Sequence, residues 1–149
     1  MVWKPHATVA AVIARGNSFL IVEEPKEEGV VFNQPAGHLE DGESLQQAII
    51  REVREETAWA FTPKYILGIY RWRNPARGNT HMRTTFVGSV SDHHPEQKLF
   101  DNIISATWKT VEELNVLNTA GRLRSPLVLA CINDYLSGQG YPLSLCRDI

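Results

Sequence analysis

Apolar residues in the first third of the chain fall in short, nearly unbroken runs. His6 to Ala14 is β-branched and alanine-rich, and predicts a buried strand. Arg15-Gly16-Asn17-Ser18 supplies a turn and Phe19 to Glu23 the returning strand of a hairpin. Glu24 to Gly29, with Pro25 and several charges, reads as a surface loop. Val30 to Gln34 is a short strand stopped by Pro35, which delivers the chain to Ala36-Gly37. The period then changes. Ser44 followed three residues later by Gln47 has capping-box spacing, predicting a helix from Leu45 to about Thr57 that buries Leu45, Ala48, Ile49 and Val53. Beyond Ala60, strands are expected over Tyr65 to Arg73, Met82 to Val90 and Ile103 to Trp108, with Asn74 to Asn79 as a turn-rich connection. Thr110, with Glu113 at the same spacing, caps a short helix. Ser125-Pro126 opens a last helix that runs to about Leu136.

The helix beginning at Leu45 changes character partway along. Glu52, Glu55 and Glu56 stand at i, i+3 and i+4 and share one face, which continues the face that Leu45 and Ala48 occupy earlier. Like charges at i, i+4 cost a helix a few tenths of a kcal/mol (roughly 0.2–0.5), so something must offset Glu52 and Glu56. A divalent hard cation does so naturally, because Mg²⁺ takes carboxylate and phosphate oxygens. Arg51 and Arg54 offer partial neutralisation instead, and an ordinary solvated face is the bland alternative. The small residues Ala36-Gly37 would let a backbone carbonyl approach such an ion.

Composition narrows the classes. A chain of 149 residues with 43% apolar content suits one domain, residues 1–149, around one core. A net charge of −2 supplies no basic field, which argues against nucleic acid as a partner. No apolar run of membrane-spanning length and no leader pattern stand out, so no membrane partner is expected. Cys131 and Cys146 are few and distant, which favours reduced thiols and a cytoplasmic setting. The adjacent pair His93-His94 sits in a loop expected from Ser91 to Gln97 and reads as solvated rather than metal-ligating.

The full spacing carries more than the acid cluster does. Gly37, five residues, Glu43, seven residues, Arg51-Glu52-Val53, one residue, Glu55-Glu56, one residue, then Ala58-Trp59 resembles the signature box of the Nudix hydrolases. All charged positions match; Ala58 stands where that pattern has glycine. Lys4 to Ala10, Asn33 to Glu40, Leu123 to Val128 and Gly140 to Leu143 further resemble one bacterial phosphatase branch of that family.

The resemblance implies an α/β fold, a Nudix-type α/β/α sandwich with a mixed sheet and a loop–helix–loop catalytic motif. It implies metal-dependent hydrolysis of a phosphoanhydride in nucleoside di- or triphosphates, or in the hydroxymethylpyrimidine pyrophosphate precursor of thiamine, with release of phosphate. Mg²⁺ is the implied cofactor, with Mn²⁺ as a substitute. The matching positions make Glu55 and Glu56 the main ligands, Glu52 a ligand or base, and Gly37 a backbone contributor. Arg51 is implied to orient a glutamate, and Glu43 to anchor the loop. The general base stays open between Glu52 and an acid outside the box such as Asp101. Arg71, Arg73 and Arg83 are candidate phosphate contacts, against a solvated strand face. Phe32, Tyr70 and Trp72 are candidate stacking rings, against a place in the core. The expected partner is a small nucleotide or pyrophosphate substrate, and the assembly a monomer or homodimer. Two other classes stay open: a Nudix-fold nucleotide-binding or sensor module with weak catalysis, and a structural α/β domain with a charged helix.

Overall fold

The computed structural model of the protein describes every residue except Asp101. In chain order the elements are β1 (His6–Val12), β2 (Ala14–Arg15), β3 (Ser18–Lys26), β4 (Gly29–Asn33), β5 (Ala36–His38), α1 (Leu45–Thr57), β6 (Ala60–Arg73), β7 (Thr80–Ser91), β8 (Ser105–Thr110), α2 (Val111–Thr119) and α3 (Leu127–Leu136), followed by a 3₁₀ turn at Leu143–Leu145. One sheet has the order β5-β1-β7-β6. It is mixed, because β1 runs parallel to β7 and antiparallel to β5, while β6 and β7 are antiparallel. In the second sheet β3 is central. Strand β8 pairs Ser18 to Glu23 along one edge, so β2 and β4, which pair with parts of the same stretch, must lie along the other.

Both sheet faces are covered, which is why β1 reads as a continuous apolar run rather than an alternation. Val9, Ala11 and Ile13 join Leu20, Phe61, Ile66 and Phe86 beneath Ala48, Ile49 and Val53 of α1. Val12 joins Phe19, Ile21, Leu67 and Val87 beneath Cys131 and Ile132 of α3 and Leu114 of α2. Successive side chains of one strand thus serve two cores. Burying Ile49 and Val53 contributes about 1.5–3 kcal/mol each, which ties α1 to the sheet.

Both predicted capping boxes form, at Ser44/Gln47 and at Thr110/Glu113. Ser125 accepts the Leu127 N–H in its side chain, but the last helix begins one residue beyond Pro126. Three expectations need correction. Glu24 to Lys26 is strand, not loop, because Glu24 and Pro25 pair with Val31 and Val30, and Gly29 (φ +95°) closes a tight hairpin. Ala36 to His38 is a paired strand on β1, with Val9 opposite Gly37. Strand β6 starts at Ala60, and its passage through Pro63 is absorbed by register shifts at Pro63/Tyr65 and Ile66/Gly68. Cys131 and Cys146 are both free thiols.

Candidate active site

Helix α1 presents its acids toward β5. A Cβ on Gly37 would collide with the carboxyl group of Glu52, so glycine there is a steric requirement for seating that side chain. Glu52 and Glu56 are both buried, at 5% and 3% exposure. Glu56 accepts the Ala36 N–H through Oε1 at 2.8 Å, fastening the helix to the strand.

Arg51 is the hub. Its Nε and Nη2 donate to the two Glu43 carboxylate oxygens at 3.0 and 2.7 Å, a bidentate pair. Its Nη1 donates to Glu52 Oε1 at 2.9 Å and Glu55 Oε2 at 3.3 Å, and Nη2 also reaches the His38 carbonyl at 3.1 Å. Glu40 lies 3.5 Å from Nη1. Glu43 in turn accepts the Glu40 N–H at 2.8 Å, which closes the loop ahead of the helix. The Arg51 hydrogen bonds hold the Glu43 carboxyl below its ordinary range, and Glu43 and Glu52 push the guanidinium further toward its charged form. One cation therefore offsets the repulsion along α1 from within the chain.

The end of α1 is equally fixed. Ala58 takes a left-handed conformation (φ 62°) and donates its N–H to the Arg54 carbonyl. Gln97 Nε2 donates to that same carbonyl at 3.0 Å, the Phe100 N–H to the Glu55 carbonyl, and the His94 N–H to the Ala58 carbonyl. These bonds satisfy groups that a helix C-terminus leaves open. His93 stacks on Trp59 with ring centroids 4.3 Å apart, and Arg15 lies over both Trp59 and Trp108. His93 thus packs on the helix end, while the His94 ring is exposed beside Glu96.

Of the predicted site residues, Arg51, Glu52, Glu55 and Gly37 meet directly, and Glu56 flanks them through Ala36. Among the described residues, no three His, Cys, Asp or Glu side chains converge on one point as a preformed cage. The guanidinium stands between Glu52 and Glu55 instead. The donor set of hard carboxylate oxygens still suits a divalent cation that takes its remaining ligands from substrate and water. Asp101 lies outside the described residues.

The candidate substrate contacts separate. Phe32 is a correction: it is buried at 8% exposure in the α3-side core with Lys109 and Arg122 against its ring, not an open stacking platform. Arg71 pairs with Met82 and is exposed, and strand alternation turns it to the sheet face opposite Trp72. Arg83 is neither solvated nor superficial. Its Nη1 donates to Gln34 Oε1 at 3.2 Å, and burial pulls its pKa down. Glu24, pushed up by burial, pairs with Arg124 at 3.0 Å and feels Arg83. Tyr70 donates its hydroxyl to Asp134 at 2.7 Å.

Sequence reasoning singled out Trp72 as a ring but passed over the three imidazoles in line with it. Trp72 stacks on His81 at 5.8 Å, His81 on His6 at 5.3 Å, and His6 meets His38 edge-on at 5.5 Å. Burial, reinforced by the neighbouring imidazoles and by Arg83 and Arg124, lowers the His81 pKa. Only alternation on β1 and β7 hinted at this row, since the register that aligns the strands is not written locally.

A profile of the Nudix domain matches residues 4–130. The chain belongs to the Nudix family. This Nudix chain is 38% identical to phosphatase NudJ of Escherichia coli strain K12 over 146 residues, 98% of the chain and 93% of that protein. It superposes on a Nudix hydrolase from Nitrosomonas europaea with a TM-score of 0.93 and 44% identity, covering 98% of both chains. A UDP-X diphosphatase shares the fold at a TM-score of 0.74 and 17% identity, over 94% of this chain and 67% of that one. The α/β sandwich with its mixed sheet is the Nudix fold. The chain is an enzyme of the Nudix pyrophosphohydrolase and phosphatase type, acting on small molecules, and Nudix hydrolases require divalent metal ions.

Proposed function

We propose that residues 1–149 form one Nudix catalytic domain that hydrolyses phosphoanhydride bonds in nucleoside di- and triphosphates and in hydroxymethylpyrimidine pyrophosphate, releasing phosphate. The observation that carries this reading is the Arg51 hub, which gathers Glu52 and Glu55 of α1 and Glu43 of the preceding loop around one guanidinium, with Glu52 against Gly37. Glu52, Glu55 and Glu56 would hold Mg²⁺, or Mn²⁺ in its place, with the Gly37 backbone contributing. When bound, such an ion screens the pyrophosphate and lowers the pKa of its water. Arg51 fixes the rotamers of Glu52 and Glu55, and Glu43 holds Arg51 in turn. Glu52 is the candidate base among the described residues. The printed name of the E. coli relative, a phosphatase, supports phosphate as the released product. Free thiols support a cytoplasmic enzyme, and no helix of the described residues is long and apolar enough to cross a membrane. The assembly is a monomer or homodimer.

Phosphate release from a panel of purine and pyrimidine nucleoside di- and triphosphates and the pyrimidine pyrophosphate, with and without Mg²⁺ or Mn²⁺, tests the reading. Cation-dependent release is expected from most of the panel, with kcat/KM spread by less than about 100-fold, because ring stacking tolerates base identity. One substrate favoured by more than about 10⁴-fold would demand dedicated hydrogen bonds and overturn the breadth. No release from any member would overturn the hydrolytic reading.

A further inference from the structure

Between the tip of the β3–β4 hairpin and the loop that leads to β8 lies a hollow of about 820 Å³, which has no part in the chemistry described so far. Its apolar walls are Pro25 from β3 and Leu99, Phe100, Ile103 and Ile104 from the loop. Among the described residues, Lys98 and Asn102 are the polar side chains of the lining. Phe100 and Ile104 are 53% and 52% exposed, large apolar side chains left open on a loop that is otherwise tied down. The ties run to the catalytic helix on one side and to β3 on the other. Gln97 Nε2 and the Phe100 N–H donate to the Arg54 and Glu55 carbonyls of α1. The Ile104 N–H donates to the Glu23 carbonyl at 2.9 Å, and Ser105 Oγ to the Glu23 carboxylate at 3.0 Å. One wall of the hollow is therefore bonded to the backbone of Glu55, whose carboxylate shares Arg51 with Glu52. Lys98 stands between the two residues anchored to α1.

We propose that this hollow takes the organic half of a second substrate class, diphosphate monoesters of apolar alcohols, with the anionic half at the α1 acids. The chemistry rests on the hydrolytic reading, which the hollow extends to substrates without a base. A volume of this size with an apolar lining and few polar groups is what a small-ligand site presents. The lining selects the occupant. A nucleobase carries donors and acceptors around its edge, and walls of Pro25, Leu99, Ile103 and Ile104 would leave them unpaired. An alkyl or alkenyl chain has no such groups and gains by leaving water. Lys98 supplies the opposite charge for the diphosphate at the side next to α1. Water adds across the phosphoanhydride bond. Its oxygen bonds to the terminal phosphorus, the bridging P–O bond breaks, and the products are the alkyl monophosphate, inorganic phosphate and one proton.

Two measurements test the hollow. The first compares kcat/KM, with Mg²⁺ present, for hexyl diphosphate, methyl diphosphate and ADP in wild type, Phe100→Ala, Phe100→Leu and Ile104→Asp. Wild type is expected to favour hexyl over methyl diphosphate by about 10-fold or more, since each buried methylene is worth roughly 4-fold. In Phe100→Ala and Ile104→Asp that ratio is expected to fall by about 5-fold or more, with Phe100→Leu recovering most of the loss and ADP changing far less. A wild-type ratio near one, an unchanged ratio in both variants, or a parallel loss of both alkyl substrates overturns the proposal. So does a loss for ADP as large as for hexyl diphosphate, which would put the base in the hollow. The second follows the Ile103 and Ile104 methyl resonances of the wild-type protein by NMR with Mg²⁺ present. The ligands are the hexyl and methyl esters of methylenediphosphonate, whose P–C–P bridge is not hydrolysed. Both isoleucines are expected to shift with the hexyl ester and far less with the methyl ester. Equal shifts, or none, overturn the subsite, as do shifts that follow protein concentration alone and so mark a second copy on this face. A protein that releases phosphate from nucleotides but not from hexyl diphosphate keeps the hydrolytic reading and loses the hollow. One that shows the hexyl-selective shifts but releases no phosphate from any substrate does the reverse.

Discussion

Glu55 and Glu56 are neighbours in sequence and opposites in environment. Glu55 is partly exposed and shares Arg51 with Glu52, whereas Glu56 is buried and bonded to the Ala36 N–H. Glu55→Gln and Glu56→Gln are each expected to lower kcat by about 100-fold or more, near 3 kcal/mol in the barrier, with circular dichroism unchanged. Wild-type turnover in either at saturating Mg²⁺ would remove that residue from the ligand set. Ala58 poses a different balance. Its left-handed backbone costs an alanine about 1 kcal/mol, which glycine would relieve. Its methyl, however, is 1% exposed, and deleting it forfeits about 0.8 kcal/mol of burial. Ala58→Gly should therefore leave stability within about 0.5 kcal/mol of wild type in urea unfolding. A gain well above that would mean the methyl makes no useful contacts.

At the scale of elements, α1 and β5 work as one piece, joined by Glu56 to Ala36 and by Glu52 against Gly37. Gly37→Ala must drive the Glu52 carboxyl from its seat, so both kcat and thermal midpoint should drop, more than for alanine at the open turn glycine Gly42 on the activity measure. Equal activity losses at the two positions would argue against a seated Glu52. What the sequence made legible follows the same division. The capping boxes of α1 and α2, the acid face and the two-sided burial of β1 are written within a few residues, so local spacing reveals them. The third strand's continuation through Pro25, the pairing of Ala36 to His38 and the bulged start of β6 depend on partners far along the chain. Phe32 went into the core and Arg83 under Gln34 for the same reason: which face of a strand is open is settled by what packs on it.

Across the whole molecule, the carboxylates set how stability responds to acid. Arg51 depresses the Glu43 pKa below its ordinary 4.5, so the stabilisation from this pair is fully present above that value and is lost as pH falls through the lower folded-state value. Glu43→Gln should be less stable than wild type at pH about 7, with the gap narrowing at about 3.5, as read by urea unfolding. A gap that stayed constant would place the effect in packing rather than charge. Arg51 also has a consequence for the protein without its cation. The acids on α1 carry a built-in counterion, so charge balance on that helix does not wait for a metal to arrive. Binding a cation there would then be an exchange, with Glu52 and Glu55 already shared with a guanidinium. EDTA should accordingly silence turnover while moving the thermal midpoint by no more than about 2 °C, in contrast to domains whose fold depends on their metal. On that expectation the fold would outlast the loss of its ion, and activity would return when the ion is restored.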